Sequence, residues 1–147
     1  MTAAQNKATL KAAFAELSKG NGAPFATLWA PDFTWTIIGN TSWSKTYRGR
    51  ESVGKDLMRP LFTRFATRYT NTATRFIAEE DYVVVECRGN VITKSGQPYN
   101  NSYCYVCRME NGLLKELTEY LDTELVTKAL GEMIDEPPPC NKRLERP

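Results

Sequence analysis

The chain has 147 residues, 41% of them hydrophobic and 24% charged, with a net charge of +2; this suits one domain with a real core and excludes the broad basic footprint of a nucleic-acid binder. It contains no histidine, which excludes Ser-His-Asp and Cys-His catalysis, histidine-ligated metal and a histidine general base. No apolar run approaches the roughly 20 residues of a membrane span, and Met1 to Gly20 is an alanine-rich amphipathic pattern without a signal-peptide core, so no membrane partner and a cytoplasmic location are expected.

Leu10, Ala13, Phe14 and Leu17 recur at three-and-four spacing between Thr2 and Ser18, predicting an amphipathic helix that Gly20 and Gly22 stop. Ala23-Pro24 opens a short second helix, Phe25 to Trp29, that Pro31 ends. Phe33 to Ile38 is rich in β-branched and aromatic residues and reads as a strand. The following loop, Gly39 to Arg48, carries Trp43 and Tyr47, two large aromatics that either plug the core or rim a pocket. Gly49 to Thr67 reads as a third helix with Val53, Leu57, Leu61 and Phe65 in a stripe and Pro60 as a kink.

The pattern then changes. Tyr69 to Ala78, Tyr82 to Thr93, Tyr99 to Met109 and Leu113 to Leu121 are four successive β-type runs joined by short turns, which makes them an antiparallel meander. Arg64, Arg68 and Arg75 are expected as solvated charge around the third helix and the first of these strands. Thr123 to Leu130 can form a last helix capped by Asp122 or Thr123. Residues 1–130 are therefore expected to form one domain and 131–147, with Pro137-Pro-Pro139, an irregular tail. Helices gathered early and strands late predict an α+β fold in which helices pack on one face of a cone-shaped, curved antiparallel sheet, leaving a hollow suited to a small molecule.

The four cysteines are Cys87, Cys104, Cys107 and Cys140. Cys104-Tyr-Val-Cys107 has the spacing of half a zinc site, but on a strand its thiols diverge and no second pair follows. No metal site and no cofactor are expected, and buried free thiols are the better reading.

Asn111-Gly112 is a turn pair, so the last two runs form a hairpin. Alternation then places Leu117, Glu119 and Leu121 on one face. Glu119 is a carboxylate among apolar residues. Facing a cavity it becomes a candidate acid or base, since desolvation raises a carboxyl pKa; otherwise it pairs with a basic neighbour. Asn101 and Tyr103 share one strand face, and Glu86, Arg88 and Asn90 share another.

Tyr47-Arg-Gly49-Arg-Glu51 at the start of the long helix and Glu110-Asn-Gly-Leu-Leu-Lys-Glu-Leu-Thr-Glu-Tyr-Leu-Asp122 in the last hairpin resemble the nuclear transport factor 2-like superfamily. Ketosteroid isomerases, limonene-epoxide hydrolases and SnoaL-like polyketide cyclases belong to it, and the similarity spans about Lys7 to Leu130. It implies a cystatin-like α+β barrel and a SnoaL-like domain that acts on a small, mostly apolar molecule by acid-base chemistry, as isomerase, cyclase or epoxide hydrolase. A ligand-binding or dimerisation module of the same fold is the alternative. Matched to the epoxide hydrolases, Glu119 falls on the base, Arg88 on its arginine, Asn90 on the proton-donating acid and Asn40 on a water-holding asparagine. The resemblance thus implies Glu119, Arg88 and Asn90 as the catalytic set. Asn40, Trp43, Tyr47, Asn101, Tyr103, Leu117 and Leu121 would line the substrate site. A homodimer through the outer sheet face, with Tyr105 and Tyr120, is likewise implied.

Overall fold

Thr2 opens the first helix with a capping box: its hydroxyl accepts from the Gln5 amide at 3.1 Å and the Gln5 side chain accepts from the Thr2 amide at 2.8 Å. These features come from a computed structural model that describes residues 1–133; residues 134–147, most of the expected tail, lie outside the described residues. Helix α1 (Ala3–Leu17) buries Asn6, Leu10, Ala13 and Phe14. Helix α2 is shorter than expected, Ala23–Ala26, and strand β1 starts earlier, Trp29–Ile37. Pro31 therefore ends no helix. It lies in the irregular start of β1, where pairing skips from Trp29 to Thr34 and no ladder donor is lost.

Inside the expected loop a short strand, β2 (Thr46–Arg48), pairs antiparallel with β1. The long helix is composite: α3 (Arg50–Ser52) continues as a π-helical stretch, Val53–Met58, and then as α4 (Arg59–Phe62). The widened turns lie immediately before Pro60, which has no N–H to give the ladder, so the expected kink takes the form of a π-bulge.

Strands β3 (Thr70–Glu79), β4 (Tyr82–Asn90), β5 (Ser102–Glu110) and β6 (Leu113–Leu121) form the antiparallel meander, and α5 (Thr123–Leu130) follows. Asn111 and Gly112 take φ values of 52° and 79°, the left-handed pair that a tight hairpin requires. Strand order in the open six-stranded sheet is β2-β1-β6-β5-β4-β3, and β1 joins β6 in parallel. Asp122 caps α5 through its carboxylate, which accepts from the amides of Glu124 and Leu125.

Two bulges bend the sheet. Pairing of β5 with β6 jumps from Arg108–Glu116 to Met109–Leu114, so Leu114 turns inward and is fully buried, although unbroken alternation from Leu117 and Glu119 would set it on the opposite face. Pairing of β3 with β4 skips Thr74, which keeps Asn71 on the inside. The inner surface and α1 enclose an aromatic cluster in which Phe14 meets Phe25 at 5.5 Å and Trp35 meets Tyr105 at 5.8 Å between ring centroids.

Candidate active site

Strand β6 presents Glu119 to the concave side, level with Ile37 of β1 and Tyr105 of β5. Trp35 precedes Ile37 by one full period of the strand and shares its inward face. From there its indole Nε1–H donates to Glu119 Oε1 at 2.6 Å. The carboxyl is buried. Its other oxygen, Oε2, has no hydrogen-bond partner among the described residues, and the residue lines the cavity beside it.

That cavity, about 500 Å³, is lined almost wholly by apolar and aromatic side chains, within the size range of small-molecule sites. Trp29, Trp35 and Ile37 of β1 line it together with Leu57 of the long helix and Val126 and Leu130 of α5. Tyr69, Tyr99, Tyr103 and Tyr105, with Asn71, supply nearly all its polar atoms besides Glu119. The Asn71 amide donates to the Tyr69 hydroxyl at 3.1 Å and the Tyr105 hydroxyl at 3.5 Å. Leu17, Met58, Arg59 and the exposed Phe62 also border it, at the solvent side.

Burial without a cation sets the electrostatics. Desolvation pushes the Glu119 pKa up to about 7, and the Trp35 hydrogen bond offsets only part of that rise. Burial also lifts Tyr99 to about 12 and holds Tyr103 and Tyr105 well above the ordinary phenol value. The site thus combines one carboxyl that titrates near neutrality with tyrosine hydroxyls that keep their protons.

Of the residues expected in the site, Glu119, Trp43, Tyr103 and Leu121 line the cavity. Leu117 is inward and buried, one layer deeper. Tyr47 stands behind Trp43, donating its hydroxyl to the Trp43 carbonyl at 2.8 Å. Asn101 is fully buried as a staple between strand ends: its Nδ2 donates to the Asp122 carbonyl and its Oδ1 accepts the Asp122 amide. Asn40 is exposed in its loop.

Arg88 and Asn90 do not join Glu119. Cys87 lies opposite Tyr103 and points inward, so its neighbour Arg88, and Asn90 two further on, are exposed on the convex face. On a strand a shift of one residue reverses the face, so a match in sequence alone does not decide whether a side chain enters the hollow. Tyr105, expected outside, is inside by the same alternation that places Tyr103 there. Arg64 is not free solvated charge either: it lies 4.7 Å over the Trp43 ring and donates to the carbonyls of Pro60, Leu130 and Glu132. Trp35, Tyr69, Asn71 and Tyr99 were not foreseen in the site. Cys87, Cys104 and Cys107 are free thiols, and no group of metal-ligating side chains occurs among the described residues. No helix among them is long and apolar enough to cross a membrane.

A family model described as the SnoaL-like domain matches residues 10–117, more than two thirds of the chain, and stops just short of Glu119. Comparison with curated proteins yields no match. Among solved structures, an NTF2-like protein from Burkholderia thailandensis E264 superposes with a TM-score of 0.72 at 21% identity, over 88% of this chain and 98% of that one. A proposed SnoaL-like polyketide cyclase from Jannaschia sp. CCS1 gives 0.71 at 20% identity, over 93% and 96%. A proposed isomerase from Bacillus subtilis gives 0.70 at 18% identity, over 91% and 100%. At these identities the likeness establishes the fold.

Proposed function

Since the chain belongs to the SnoaL-like domain family, we propose that it is an enzyme that moves a proton on a small, mostly apolar carbonyl compound, as an isomerase or cyclase, with Glu119 as the base. The observation that carries this reading is the Glu119 carboxyl itself: buried, oriented by Trp35 at 2.6 Å, unpaired with any cation among the described residues, and bordering the cavity. A structural carboxylate would be neutralised by a partner. A pKa brought up to about 7 suits a group that must both take and return a proton at neutral pH.

In this mechanism Glu119 Oε2 removes a proton from the carbon next to a substrate carbonyl. The electrons of that C–H bond move into the C–C bond and on to the carbonyl oxygen. A tyrosine hydroxyl of the Tyr69, Tyr99, Tyr103 group donates a hydrogen bond to the oxyanion so formed. An isomerase then returns the proton from Glu119 to another carbon of the conjugated system; in a cyclase the enolate carbon attacks a second carbonyl carbon of the same molecule, the π electrons of that C=O move to its oxygen, and the proton held by Glu119 neutralises the resulting alkoxide. Epoxide hydrolysis is disfavoured, because its second acid would fall on Asn90, which is exposed and cannot give up a proton.

A passive ligand-binding module is the competing reading, and an open cavity bordered by an unpaired carboxyl favours the enzyme over a filled one. We take residues 1–130 as a single domain, working in the cytoplasm, where free thiols persist. We also take it as a homodimer through its convex sheet face, where Val84, Val106, Thr118 and Thr36 form one cross-strand row.

The test is to incubate wild type and Glu119→Gln with enones and β-keto esters in deuterated water. Mass spectrometry then follows deuterium uptake and product, with thermal-shift binding measured in parallel. Uptake in wild type, lost in Glu119→Gln while binding persists, is expected. Binding shared by both proteins with uptake in neither would move the assignment to the passive module.

A further inference from the structure

Among the described residues two charged side chains line the cavity, and they are of opposite sign and opposite exposure. Glu119 is buried on β6; Arg59 is exposed on α4, beside Met58, Leu61 and Phe62. The two do not pair with each other. Arg59 makes no ion pair and no side-chain hydrogen bond among the described residues. Its neighbours differ: Arg64 is spent on three carbonyls, and Arg50 donates to the Trp29 carbonyl. A cation with no partner among the described residues, at the exposed rim of a mostly apolar cavity and next to a half-exposed phenylalanine, is a recognition element for the end of a ligand that stays in water.

We infer that the ligand of this pocket is an amphipathic monocarboxylate, with an apolar body lying in the cavity and its carboxylate held at the mouth by Arg59. One guanidinium matches one carboxylate in charge and in its two-pronged geometry. The apolar walls disfavour an anion deeper in, and an ionised Glu119 repels one there. The carboxylate end therefore lies at the mouth and the other end of the molecule beside Glu119, which fixes the direction of binding. This rests on reading the cavity as a ligand site, as proposed above, and not on Glu119 acting as a base.

The probes are decanoate, methyl decanoate and decanol, titrated into the full chain while the fluorescence of Trp29, Trp35 and Trp43, all in the cavity wall, is followed. At about pH 8 and low salt, wild type is expected to bind decanoate about fivefold more tightly than its methyl ester, and added salt to erode that advantage. Arg59→Met, which keeps the apolar stem, abolishes the preference and leaves ester binding unchanged; Arg59→Lys retains part of it. Equal binding of acid and ester to wild type overturns the inference, as does equal weakening of both ligands in Arg59→Met. Ester binding without an acid preference sinks the anionic end alone, whereas failure of all three probes to bind sinks the cavity as a site for chains of this kind too. Neither outcome depends on turnover.

Discussion

Glu119 carries opposite demands, since burial disfavours its charge and base catalysis requires it. The sign follows from its pKa: about 7 in the folded protein against an ordinary 4.5. Between these values the folded state holds a proton that the unfolded chain has lost, so stability present below 4.5 declines as pH rises through 7. The full loss is about 3 kcal/mol, an order-of-magnitude figure from the size of that shift. Urea denaturation across this range should show wild type losing stability as pH rises, and Glu119→Gln losing much less. Equal slopes would place the shifted carboxyl elsewhere. The rate should climb over the same interval, because the ionised form is the base.

Strand parity decides which side chains meet, and Gly89 shows how tightly. A Cβ at this β4 position would come within 3.0 Å of the Tyr69 ring and hydroxyl and 3.3 Å of the Tyr103 ring. The expected effect of Gly89→Ala is displacement of two hydroxyls of the tyrosine group: turnover falls about tenfold or more while the protein stays folded. Steady-state kinetics with circular dichroism checks both halves. The same parity explains what could be read beforehand. Alternation from Glu116 to Leu121 is unbroken, so the inward placement of Glu119 was legible, as were the hairpin turn and the Asp122 cap. The bulges that bring in Leu114 and Asn71 leave no clear mark in a pattern of period two. Arg88 was misplaced because a match to a relative's hairpin carried no information about face. The Trp35 donor was invisible for another reason: its partner is 84 residues away, and no local rule pairs an indole with a distant carboxyl. Tyr105 was legible and overlooked, since it must share the face of Tyr103.

For the whole molecule, the convex face is the surface that the concave site leaves free. Ile77, Val84, Val106, Thr118, Thr36 and Thr46 follow one another in register across all six strands, and Ile77 and the nearby Tyr120 are about half exposed. Such a row of β-branched side chains, uncharged from edge to edge of the sheet, suits an isologous interface. Sedimentation of wild type should give a dimer, and the pair Val84→Glu with Val106→Glu a folded monomer; a monomeric wild type would end the proposal.

The back of the cavity is fastened across long stretches of chain. Trp43 Nε1 donates to the Gly131 carbonyl, 88 residues away, the Met133 amide donates to Ser42 Oγ, 91 residues away, and Arg64 reaches the Leu130 carbonyl across 66. Closing loops of that length costs entropy that only a finished meander can offset. During synthesis the ribosome releases Trp43 and the long helix well before residues 131–133. Until residues 131–133 emerge, the apolar wall that Trp43 and Leu130 share stands open to water and is free to make the wrong contacts.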